Sequence, residues 1–202
     1  VLRSRAAMGF VLAYTAHNFE LFAFRSWIVA YLAFSQTRLA DTAQWWDAVT
    51  IAAIVNIAGW AASVSGNEAA VRWGRRPVIT VVMWSSTLLA CIIGFTSGLP
   101  FWFIVVMFLI YGMTVTGDSA AITAGTVASA REGQRGATLA MHSTIGFTGS
   151  ALGPVLFGWV LDLGGGETDP TAWGLAFAAM GVAVFLGPVA LWFLSRRPAK
   201  QA

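Results

Sequence analysis

Runs of about twenty apolar residues, separated by short polar turns, recur along the whole chain, and this alternation decides what it can fold into. A helix rises ~1.5 Å per residue, so twenty residues cross the roughly 30 Å of hydrocarbon in a bilayer. Six runs read as spanning helices, at roughly 8–34, 46–64, 78–96, 101–128, 137–161 and 171–194. Only 10% of the 202 residues are charged and 57% are hydrophobic, whereas a soluble domain carries about 25% charged residues. The chain therefore reads as an all-α polytopic membrane protein, with residues 1–202 forming one six-helix transmembrane domain. The first run is longer than the ~7–15 apolar residues of a signal peptide, and five more follow it. The single cysteine, Cys91, lies inside a span and reads as a small core residue.

The sequence pI of about 9.6 could suit a nucleic-acid binder, but the placement of the twelve basic residues says otherwise. Arg3 and Arg5 precede the first span; Arg72, Arg75 and Arg76 lie between the second and third; Arg131 and Arg135 lie between the fourth and fifth; Arg196, Arg197 and Lys200 follow the sixth. The opposite side has Arg38, and Arg25 lies within a span. Basic loops stay cytoplasmic, so both termini are expected inside a cell (inner or plasma) membrane. The basic excess is a topology signal, and nucleic acid is not an expected partner. Trp45, Trp46, Trp102, Trp173 and Trp192 sit at predicted span ends, where amphipathic rings favour the interface.

Topology explains why the arginines cluster, but not their order after a glycine. The stretch Gly66, Glu68, Arg72, Gly74, Arg75, Arg76 follows the second span. It resembles the loop signature of the major facilitator superfamily, which has a glycine, an acid, a basic residue, a second glycine and paired basics. The family's acidic position falls on Ala70 or Val71, and the nearest acid is Glu68. The resemblance implies a cytoplasmic gating loop. In the fifth span Gly149, Gly153, Pro154 and Gly158 resemble the family's fifth-helix motif, in which glycines four apart let helices approach and proline bends the span and frees a carbonyl. The resemblance implies one six-helix half of a transporter, built of two inverted three-helix repeats. The basic tail and the incomplete loop signature point to the C-terminal half, helices seven to twelve. The other half, in the same polypeptide or as a dimer partner, is then an expected partner.

The first span carries Tyr14, His17, Asn18, Glu20 and Arg25 on one arc of about 160° at 100° per residue. Glu and Arg near a helix centre cost about 2.5–3.5 kcal/mol each. The twelve Leu, Ile, Phe, Val and Met residues of the span return roughly 0.3–0.6 kcal/mol each, so the sums nearly cancel. Such a pair belongs against another helix or a wet cavity. His17 and Glu20 suit proton exchange or substrate contact and Arg25 an anionic group; structural charge pairing is the other reading. Asp118 in the fourth span, beside Gly117 and among Thr114, Thr116, Ser119 and Thr123, is the second-site candidate, as a partner for Arg25 or a protonatable group. Asn56, mid-way along the second span, suits an interhelical hydrogen bond or a substrate contact, and His142 suits packing or gating.

Ser97 lies in a glycine-serine setting similar to that of intramembrane serine proteases, but neither histidine is expected at its depth, so an enzyme is not expected. Phosphate loops, dinucleotide glycine fingerprints and metal-ligand spacings are absent from the sequence, and no cofactor or metal is expected. The reading that results is a secondary active transporter of a small solute, working by alternating access and coupled to protons, with the lipid bilayer around it. The alternative is a six-helix membrane scaffold without transport.

Overall fold

The computed structural model describes residues 4–39 and 46–194. Arg3, Trp45, Arg196, Arg197 and Lys200 lie outside the described residues. The helices are α1 (Arg5–Arg38), α2 (Ala48–Trp73), α3 (Arg75–Ile93), α4 (Phe101–Gly117), α5 (Ser119–Ala128), α6 (Arg135–Leu163) and α7 (Pro170–Leu194). α4 and α5 together make the fourth expected span. Among the described residues, α2, α3, α4 with α5, α6 and α7 are long and apolar enough to cross a membrane. α1 has 34 residues, but its mid-helix polar residues dilute its apolar character.

Two boundaries differ from the sequence reading in ways that matter. The second helix continues to Trp73 rather than ending near residue 64, so Gly66, Glu68 and Arg72 lie on a helix and not in a loop. A helix needs no apolar residues once it leaves the bilayer, and the exposed Glu68–Arg72 pair (3.0 Å) supports it at the favourable four-residue spacing. The chain breaks only at Gly74, whose φ of 94° suits glycine. The fourth span is interrupted at Asp118, next to the glycine that loosens it.

Helix starts are fixed by short polar side chains. Asp47 accepts from the Thr50 N–H (2.9 Å) at the start of α2, and Asp169 accepts from those of Thr171 (2.6 Å) and Ala172 (3.2 Å) at the start of α7. These donors hold both carboxyls below the usual carboxylate range.

α1 runs through the bundle, packed mainly on α6 and α7, while α2 pairs with α4 and α3 with α7. Two apolar clusters form along it. One gathers Phe24, Tyr31, Phe108, Phe157, Trp173 and Phe177; the other gathers Phe10, Ile79, Met83, Ile122, Val184 and Leu191. Trp173 is fully buried in the first, with its indole N–H donating to the Glu167 carbonyl (2.8 Å), so it is not an interfacial ring. A position at a span end does not say which way the ring points. Trp46, Trp102 and Trp192 are exposed, as an interfacial role requires. His17, Asn18 and Glu20 of α1 lie between the two clusters.

Candidate functional site

That intermediate layer is a belt of buried polar side chains. His17, Asn18, Glu20, Ser86 and Asp118 are each at most 2% exposed. The interruption at Asp118 places its carboxylate against α1, with Oδ1 2.8 Å from His17 Nδ1. The contact is short but off the axis of a hydrogen bond, and neither atom has another partner among the described residues. Asp118 therefore meets His17, not Arg25 as one reading of the sequence had it. Three residues further along α1, Glu20 Oε1 accepts from Ser86 Oγ of α3 (2.7 Å) and from the Tyr111 hydroxyl of α4 (2.9 Å). A buried carboxyl group has to be satisfied by hydrogen-bond donors, and here two side chains supply them.

Arg25 has a different setting. It is exposed on the outside of the bundle, and its Nε–H donates to Asn56 Oδ1 (2.9 Å). Asn56 is half-buried and turns its Nδ2 to the Ala52 carbonyl (2.8 Å). The α1 arc thus divides: Glu20 faces α3 and α4, His17 faces Asp118, and Arg25 faces α2. Tyr14 and Asn18 lie towards α6, where a Cβ built at Gly146 would meet both. The Tyr14 ring stacks on His142 with centroids 3.8 Å apart. Glu20 and Arg25 do not pair with each other, as their five-residue spacing implied.

The sequence profile of the Major Facilitator Superfamily matches residues 6–202. The chain belongs to the major facilitator superfamily. Its family is one of transporters, and the chain is a multi-pass membrane protein. None of the curated proteins matches it.

The two superfamily motifs now have a geometry. Gly66 packs against the Gly117 carbonyl oxygen, which a Cβ at this position would overlap. The first glycine of the loop signature therefore seats on the helix interruption that aims Asp118. Glu68 pairs with Arg72 on its own helix, both exposed. Arg75 and Arg76 open α3, with Arg75 Nε buried and without a hydrogen-bond partner among the described residues. In the fifth-helix motif, side chains at Gly149 and Gly153 would strike the Thr15 and Phe19 carbonyl oxygens of α1. At Gly158 a Cβ would come 2.8 Å from the Trp27 ring. The Trp27 indole N–H donates to the Pro154 carbonyl (3.1 Å). The ladder lets α6 lie against α1 backbone to backbone.

Sequence reasoning passed over Ser86, Tyr111 and Thr126. Each is one hydroxyl among others in a helix, and only the facing helix singles it out.

Proposed function

We propose that this chain is a six-helix unit of a secondary active transporter that moves a small solute by alternating access and couples it to protons. The observation that carries the reading is the exposed Arg25, held by Asn56 near the middle of two spans. Turned to lipid, a mid-helix arginine costs about 2.5–3.5 kcal/mol. A wet cavity shared with a second six-helix unit removes that cost and gives the guanidinium a substrate to bind. The second unit belongs to the same polypeptide or a dimer partner, and both termini of this one lie on the cytoplasmic side of a plasma or inner membrane.

The proton-coupling groups are Glu20 and the His17–Asp118 pair. Asp118 sits on the helix interruption, so a change of charge there acts where the backbone bends. Gly66, Glu68, Arg72, Gly74, Arg75 and Arg76 form the cytoplasmic gate, with Gly66 connecting it mechanically to Gly117. Gly149, Gly153, Pro154 and Gly158 form the bend on which α6 moves over α1.

The test is solute-induced proton movement across reconstituted vesicles, read with a pH dye over a panel of small solutes. Glu20→Gln and Asp118→Asn are expected to abolish the pH dependence of uptake. If both variants keep the wild-type pH dependence, proton coupling through these residues is wrong.

A further inference from the structure

A second buried imidazole lies beside the His17–Asp118 pair. His142 of α6 is 3% exposed, and its Nδ1 lies 3.0 Å from Thr126 Oγ1 of α5. The Thr126 hydroxyl already donates to the Ile122 carbonyl (3.1 Å), so its oxygen accepts from His142 Nδ1–H. This partner assigns the tautomer and leaves the lone pair on Nε2. At His17 the Asp118 carboxylate lies 2.8 Å from Nδ1, off the hydrogen-bond axis, and its negative charge favours a proton on that nitrogen over a lone pair. Both Nε2 atoms are buried without a hydrogen-bond partner among the described residues. Asn18 Nδ2 is a third such atom, and a Cβ built at Gly146, one turn from His142, would lie 3.3 Å from it.

Tyr14 connects the two imidazoles. Its ring lies at 18° to His142 and, with centroids 5.8 Å apart, at 14° to His17. Two cations packed against one tyrosine ring in a low-dielectric interior repel each other, so the pair is expected to take one extra proton and not two. The ionisable groups facing His142 are Tyr14 and His17 from α1, with Asp118 behind His17 at the α4–α5 junction. α7 presents none over its described length, and Arg135 and Asp162 lie towards the two ends of α6.

We propose that His142, anchored by Thr126 and stacked on Tyr14, is a second proton-binding site that shares one proton with His17. In one occupancy the extra N–H bond is at His17 Nε2 and His142 Nε2 carries a lone pair; in the other it is at His142 Nε2 and the His17 N–H bond is gone. The imidazolium charge moves from beside Asp118 to beside Thr126, and no electrons are transferred. His142 lies about two turns from the start of α6 at Arg135, nearer the arginine-bearing end than His17–Asp118 does. Its place in transport, as the cytoplasmic stop of the coupled proton, rests on the proton-coupled reading above; its proton occupancy does not.

The chain has two histidines, so full-length protein labelled with ¹⁵N-histidine in bilayers gives two sets of ring signals, and His142→Gln assigns them. Between about pH 5 and 8 the wild-type protein is expected to hold one imidazolium, at His17. In His17→Gln the cationic signal is expected to appear on His142. Asp118→Asn, which keeps both rings, provides the same test if His17→Gln does not fold: the cation is expected to move from His17 towards His142. A His142 ring that stays neutral in both variants overturns the proposal, as do two rings that become cationic together in the wild type. A cation that moves between the rings in a protein whose uptake ignores pH supports the shared site and rejects proton-coupled transport.

Discussion

At the scale of single residues, the belt is a set of buried polar groups that each depend on one or two partners. Tyr111→Phe and Ser86→Ala each remove one donor to Glu20 Oε1. Each is expected to destabilise the protein by about 1–3 kcal/mol, because hydrogen bonds to a buried carboxyl group are worth more than neutral ones. Because both serve one oxygen, the double variant should not cost the sum. Unfolding of the detergent-solubilised variants measures this, and strict additivity would contradict the shared acceptor. Asp169 makes a prediction of a different sign. Its carboxyl is held low by the N–H groups of α7's first turn, so the cap is complete near neutral pH and is lost as pH falls through the carboxylate range. Hydrogen exchange in that turn, corrected for intrinsic rate, should rise in acid, and Asp169→Ala should abolish the change. The polar arc itself was legible from residue types at 100° spacing. The assignment of Asp118 to His17 was not, because which helix faces which is a tertiary fact that spacing along α1 does not encode.

At the scale of helices, close approach decides the architecture. α2 and α4 meet at Gly66 and the Gly117 carbonyl, and α6 meets α1 at Gly149 and Gly153. Overpacking a tight contact costs about 1–3 kcal/mol, so Gly153→Val should lower stability by that amount and separate α6 from α1. Gly66→Val should do more than destabilise. It displaces the interruption carrying Asp118, and the ¹⁵N signals of His17 should shift although residue 66 lies far along α2. Unchanged His17 signals in a folded Gly66→Val protein would show that the contact does not position the acid. The glycine ladder of the fifth span was readable from sequence. Gly66 was misread as a loop residue because the polar stretch after it resembles a turn. The structure continues it as helix, since leaving the bilayer does not end a helix and only Gly74 does.

At the scale of the whole molecule, the long helices were legible because crossing a bilayer leaves apolar runs that no soluble core of this size needs, and five among the described residues are long and apolar enough to cross. The sides of the bundle are not equivalent. α3 exposes Val81, Trp84, Leu88 and Ile92, an apolar stripe suited to lipid tails. The α1–α2 side exposes Arg25 beside Asn56. The proposed transport requires this polar side to line water at mid-membrane depth. Labelling with a water-soluble maleimide tests it in the intact protein, on a Cys91→Ser background. Arg25→Cys is expected to react while Leu88→Cys does not. Equal and negligible reactivity at both positions would mean that Arg25 faces lipid or a dry contact and that no wet cavity lies there.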